Sequence, residues 1–181
     1  MAHGQQKQFC MRVKAMFPNF FTDTAVVDIG SLDINGNNKY LFSGGSYTGV
    51  DVVEGKNVDV VCPGHEFSPS AQCAVVISTE CFEHDMHYEA TLKNCVRILK
   101  PGGLLMFTCA TVGRPEHGTE RTTPSDSGTT SIGDEAWGNY YKNLTEGDIK
   151  NALDLDTIFS SYAFEVNCSP NDLYFWGVTK T

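Results

Sequence analysis

The sequence predicts an α/β fold, with a seven-stranded, mostly parallel sheet closed by an antiparallel C-terminal hairpin and helices on both faces. Three observations carry that expectation. Apolar runs without polar alternation, such as "CAVVIS" (73–78) and "GLLMFTCA" (103–110), suit strands buried on both faces, as in a parallel sheet. An amphipathic helical stripe lies between those two runs. The last stretch, "AFEVNCSPNDLYFWGVTKT", holds two strand-like segments around the turn signal "SPND".

Taken in order, "QKQFCMRVKAMF" (6–17) spaces apolar residues at 9, 13, 16 and 17, a helix within the N-terminal segment 1–23 that leads to the first strand. Val26 to Ile29 form that strand, and Gly30 follows where a side-chain-free backbone turns sharply or lets a ligand approach. "YTGVDVV" (47–53) and the shorter "VDVVC" (58–62) supply two more strands. Tyr88, Leu92, Cys95, Val96 and Leu99 make one helical stripe, and "PGG" after Lys100 stops the helix and turns the chain into the next strand. From Thr111 to Asn143 no apolar period survives, and "TERTTPSDSGTTS" reads as a loop of the length found in lids and binding loops. Thr145 and Asp148 form a capping box, Leu144 packs on Ile149, and a broken helix is expected through "DIKNALDLDTIFSSY" (148–162). No repeat or linker divides the chain, so residues 1–181 are expected to be one domain.

Charge and composition narrow the function. A chain of 181 residues with 41% hydrophobic content supports one full core. A formal charge of −9 and a pI near 4.9 disfavour a surface that tracks phosphate backbones, so nucleic acid is not an expected partner. No apolar run has the length of a membrane span and the N-terminus lacks the apolar core of a secretory signal, so a soluble, cytoplasmic protein with no membrane partner is expected. Seven unpaired-looking cysteines, several inside apolar runs, read as buried reduced thiols. Cys81, His84 and His87 have the spacing of one helical turn, but without a second cluster no metal site is assigned.

The chemistry concentrates at strand ends. "VVDIGSLDINGNN" (26–38) puts Asp28 and Gly30 at the end of the first strand, and Asp51 ends "YTGVD" 21 residues after Gly30. An acid there accepts hydrogen bonds from vicinal ribose hydroxyls. With "LKPGG" (99–103) and the reversed terminal hairpin, residues 24 to 179 resemble the class I S-adenosylmethionine-dependent methyltransferases, a Rossmann-like fold, and most closely their small-molecule, type 11-like domains. The family's second and third glycines are replaced here by Leu32 and Ile34, with the next glycine at Gly36.

The resemblance implies S-adenosyl-L-methionine as cofactor, S-adenosyl-L-homocysteine as product, and methyl transfer to an oxygen or nitrogen of a small-molecule acceptor. It implies that Gly30, Ser31, Asp33, Asn35 and Gly36 hold the methionine end, with Asp28 or Asp33 serving its amino group. Asp51 and Val52 then meet the ribose, and Gly64, His65, Glu66 and Phe67 the adenine. Thr79 and Glu80, in "ISTECFEHD", lie beneath the sulfur. His84 is the first candidate base, with Glu80 and Glu83 behind it. Arg114, His117 and Arg121 suit an acidic acceptor, and Trp137, Tyr140 and Tyr141 an apolar or sugar-like one. No metal is required. Two other readings stay open: a nicotinamide-dependent oxidoreductase, and an interaction protein that keeps the fold without the reaction.

Overall fold

A computed structural model describes residues 3–181. Helix α1 (Gly4–Met16) starts where the His3 ring accepts a hydrogen bond from the Gln6 N–H, and it stops before Pro18, which opens a short 3₁₀ turn. The helical N-terminal segment is therefore shorter than 1–23. Strands β1 (Ala25–Ile29), β2 (Ser46–Asp51), β3 (Val60–Val61) and β4 (Cys73–Thr79) follow, then α2 (Tyr88–Ile98) and β5 (Leu99–Ala110). Helices α3 (Glu135–Gly138), α4 (Glu146–Ala152) and α5 (Leu155–Ile158) precede the hairpin of β6 (Phe159–Asn167) and β7 (Asp172–Thr179).

All seven strands lie in one sheet of order β3-β2-β1-β4-β5-β7-β6. Pairings from β3 through β5 are parallel, and β7 runs antiparallel to both β5 and β6. Alternation along the strands fills two cores. Phe9, Cys10 and Val13 of α1 pack with Val26, Ile77, Met106 and Tyr174 on one face. On the other face Leu92, Cys95 and Ile98 of α2, with Ile149 of α4, cover Val27, Val76, Leu105 and Phe107. Each such fully buried side chain contributes about 1.5–3 kcal/mol, and the expected helices on both faces are present.

Three departures from the sequence reading have local causes. "KPGG" does not separate helix from strand; it is looped out of β5, which pairs Leu99 with Cys73 and resumes at Leu104 opposite Val75, with Gly102 in the left-handed region. The broken helix ends at Ile158, not at residue 162, because Phe159 pairs with Thr179 and is buried against Phe175. The 111–143 segment is not wholly irregular: it carries two 3₁₀ turns and α3, capped by Asp134. The capping box at Thr145 and Asp148 is closed in both directions. All seven cysteines are free; four are buried, Cys62 and Cys81 are half-buried, and Cys168 is exposed, contrary to expectation for that one. Among the described residues no helix is long and apolar enough to cross a membrane.

Candidate active site

The sheet's connections diverge at β1, with β2 on one side and β4 on the other, and a cleft opens beyond the carboxyl ends of these strands. Its floor is the turn after β1. Gly30 adopts φ 76°, and a β-carbon there would come within 2.4 Å of the Cys81 side chain, so both conformation and space demand glycine. The N–H groups of Gly30 and Ser31 donate to the Val50 carbonyl at 2.9 and 3.1 Å, locking the turn to β2.

Two acids flank this turn. Asp28 is buried, receives the Tyr47 hydroxyl at 2.5 Å and the Asn38 amide at 3.4–3.5 Å, and burial pushes its carboxyl up to about 7. Asp51 accepts from the N–H groups of Leu32 at 2.9 Å and Val52 at 2.8 Å, and burial raises its pKa. Those two bonds leave acceptor positions on the carboxylate unused. Ser31, Asn35, Gly36, Val52 and Thr79 also line the cleft, and the Ser31 hydroxyl is buried with no hydrogen-bond partner.

Asp33 does not line it. Its carboxylate bonds Lys56 at 2.7 Å and Asn37 at 2.8 Å, contacts that hold it down at about 2, so Asp28 alone of the pair faces the cavity. Of the residues assigned to adenine only Gly64 is on the wall. Phe67 is drawn into the core beside α2, its carbonyl held by Asn94 and Arg97. His65 packs against His87 with tilted rings, centroids 4.5 Å apart, and Glu66 is exposed.

The catalytic candidates divide. Glu80 and His84 line the cleft, whereas Glu83 is buried behind it. Glu80 sits at φ 54°, a strained backbone for a non-glycine residue, at the end of β4. Its carboxylate accepts from the Thr108 hydroxyl at 2.8 Å and lies 3.9 Å from Arg114. Burial raises both glutamates, Glu83 to about 8, and lowers His84 to about 3. Cys81, His84 and His87 do not converge: Cys81 packs under Gly30, His84 faces His117 and Tyr141, and His87 meets Trp137 edge to face.

Of the acceptor candidates Trp137 lines the cleft, with its indole N–H donating to the His84 carbonyl at 2.9 Å. The other five do not. Arg114 turns inward to Asp172 at 2.7 Å, and Arg121 pairs with Glu116 at 2.7 Å on the surface. His117 and Tyr141 stand behind His84, their rings 5.1 and 5.5 Å from it, and the half-buried Tyr140 is off the wall.

Sequence reasoning missed a whole side of the cavity. Asp126, Ser127, Gly128 and Thr129 from the 111–143 segment reach the cleft opposite Asp51. Gly128 approaches so closely that a β-carbon would stand 2.7 Å from Val53 and 3.3 Å from the Asp51 carboxylate. The glycine among hydroxyl residues was the available signal. Asn38, which donates to Thr79 at 3.0 Å as well as to Asp28, and Asp85, which accepts from Thr91 at 2.5 Å, carried no signal beyond polarity.

Residues 1–126 match a family model described as a methyltransferase domain. No curated protein resembles the chain in sequence. Among solved structures, 1,6-didemethyltoxoflavin-N1-methyltransferase from Burkholderia thailandensis, bound to 1,6-didemethyltoxoflavin and S-adenosylhomocysteine, aligns with a TM-score of 0.65 at 14% identity, covering 97% of this chain and 78% of that one. The N-methyltransferase NodS from Bradyrhizobium japonicum with S-adenosyl-L-homocysteine gives 0.61 at 13%, over 97% and 87%. Phosphoethanolamine N-methyltransferase 2 from Haemonchus contortus gives 0.66 at 16%, over 96% of this chain and 53% of that one. At such identities the likeness is one of fold.

Proposed function

The chain belongs to the methyltransferase-domain family, and from that premise we propose that it binds S-adenosyl-L-methionine in the cleft and transfers its methyl group to an oxygen or nitrogen of a small molecule. The observation that carries this reading is the pair of acids around Gly30. Asp51 keeps acceptor positions free for ribose hydroxyls, and Asp28 offers a carboxylate that an ammonium group beside it would return toward its ordinary range. The unpartnered Ser31 hydroxyl on the cleft wall offers the methionine end a hydrogen-bonding group. The methyl donor of the neighbouring N-methyltransferases supports the choice.

When bound, the donor supplies a methyl carbon on a positively charged sulfur. The chain's part is to hold the acceptor in line with it, and orientation of this kind supplies much of the rate. Glu80 and His84 stand on the wall next to the reaction. Burial lowers His84 to about 3, which makes its imidazole a weak base, and raises Glu80, which shifts that carboxylate toward the range of a general base. An acceptor that attacks as a neutral amine needs no such base. Trp137 and the 126–129 segment close the cleft over the donor and give the acceptor its nearest walls.

A thermal-shift comparison of S-adenosylmethionine, S-adenosylhomocysteine and NAD tests the reading, on wild type and Asp51→Ala. A ligand at 100 times its Kd stabilises by about 2.7 kcal/mol. Both sulfur compounds are expected to raise Tm in the wild type and not in the variant. Protection by NAD alone would replace the reading with the oxidoreductase one, and tight donor binding with no turnover on amines or hydroxyls would make the protein a binding module.

A further inference from the structure

At the cleft wall the fold brings His117 to the adjacent pair Glu83 and His84. One ligand atom each from Glu83, His84 and His117 lies within 4.8 Å of the others. Glu83 is fully buried, and neither carboxylate oxygen has a hydrogen-bond partner; the N–H groups of Glu83 and Ala110 favour its charged form without closing a bond. His84 Nδ1 and His117 Nε2 are likewise buried and unpartnered. Four polar atoms without partners at one buried point are a heavy desolvation penalty unless something they can all bind joins them.

The tautomer of His117 identifies what that is. Its Nδ1 lies 3.1 Å from the Pro115 carbonyl. A carbonyl oxygen only accepts, so the ring proton sits on Nδ1, and Nε2 presents a bare lone pair to Glu83 and His84. An imidazole oriented by its far N–H on a backbone carbonyl is the usual support for a metal ligand. Carboxylates gather at this point: Glu80 and Asp172 lie near Glu83, and the guanidinium of Arg114 is engaged by Asp172 at 2.7 Å and Glu80 at 3.9 Å and bonds neither oxygen of Glu83. The other trio of possible ligands among the described residues, His3, Glu80 and Asp172, is already joined by a 2.6 Å His3–Asp172 contact and by Arg114.

We propose that Glu83, His84 and His117 bind one divalent first-row transition ion of the zinc type against the wall of the cleft. Two imidazoles and one carboxylate are a recurrent ligand set for such ions, and three protein ligands leave a position open for solvent or an acceptor atom. Tetrahedral ligands lie about 3.4 Å apart, so the trio has to contract by at most roughly 1.5 Å. His117, half-buried on the 111–143 segment, is the member placed to close that gap. Gly118 makes the approach possible: a β-carbon there would stand 2.6 Å from the His84 ring. The ligand set stands whether or not the cleft takes the methyl donor.

The test uses tag-free full-length protein, stripped with a chelator and titrated with Zn²⁺ against a chromogenic competitor, with Co²⁺ absorption as a second probe. Wild type is expected to take up one equivalent and to give the visible bands of a tetrahedral site. His117→Ala and Glu83→Gln are expected to lose more than about 100-fold in affinity, since even a lost supporting partner costs roughly 10–100-fold. Circular dichroism checks that both remain folded; His117→Ala, which removes a loop side chain, guards against misfolding of the buried variant. His87→Ala should bind as wild type. Substoichiometric uptake by wild type, or an affinity that follows His87 and not His117, overturns the site. The S-adenosylhomocysteine thermal shift on the same samples reports separately on the donor cleft.

Discussion

Replacing Asp28 with Asn separates what this carboxylate does for folding from what it does for ligand binding. In the unfolded chain an aspartate ionises near 3.8, and in the fold burial moves Asp28 to about 7. The native state therefore binds the extra proton between these values. Stability is greatest below the unfolded pKa and falls as pH rises through the folded one. The full shift corresponds to a penalty on the order of 4 kcal/mol above pH 7, at about 1.4 kcal/mol per unit. Asn removes that penalty but must reorganise the contacts from Tyr47 and Asn38, each worth about 1 kcal/mol. A net gain of about 2 kcal/mol at pH 8 is expected, shrinking as the pH approaches 4. Urea unfolding at the two pH values measures it. The same variant should bind S-adenosylhomocysteine roughly 10–100-fold more weakly, because a hydrogen bond to a charged group contributes about 1.5–3 kcal/mol. An Asn variant less stable than wild type at pH 8, or a stability difference indifferent to pH, would refute the reasoning.

Two glycine substitutions examine the walls of the same cavity. Gly30→Ala forces a side chain into the left-handed region and against Cys81 at 2.4 Å, and is expected to destabilise by more than about 2 kcal/mol and to abolish donor binding, read by calorimetry and denaturant titration. Gly128→Ala meets a Val53 methyl at 2.7 Å and the Asp51 carboxylate at 3.3 Å, on a surface segment that contributes little to the core. It should leave the unfolding midpoint within about 0.5 kcal/mol of wild type while weakening donor affinity; unchanged affinity would mean that the 126–129 segment does not close on the donor.

Much of this architecture was legible because burial writes itself plainly into strands. β4 and the 104–110 part of β5 are covered on both faces, and their mostly apolar runs say so, as does the stripe of α2. The end of β1 placed Asp28 and Gly30, and the end of β2 placed Asp51. What stayed hidden depends on contacts distant in sequence. Asp28 and Asp33 are equivalent in a string, and only Lys56, brought beside Asp33 by the β2–β3 connection, takes one away from the cleft. Phe67 is aromatic in the right place, yet α2 offers it a core to enter. His117 and Glu83, 34 positions apart, meet through a segment with no apolar period at all.

The acids at this sheet edge share one physical condition. Asp28, Asp51, Glu80 and Glu83 are all raised, and burial is the leading cause each time. A fold selected for stability alone would replace them with apolar or amide side chains of similar volume. Each remains in a place where its charged form is disfavoured until a cation arrives, and the two proposed ligands are both cationic there: the donor beside Asp28, and a divalent ion beside Glu83. The acidic edge is then a set of preformed cation sites, strained without their ligands and relieved by them. Stability lost at Asp28 in the free protein and affinity gained there in the complex have one origin, so the Asn substitution should move both together and in opposite directions.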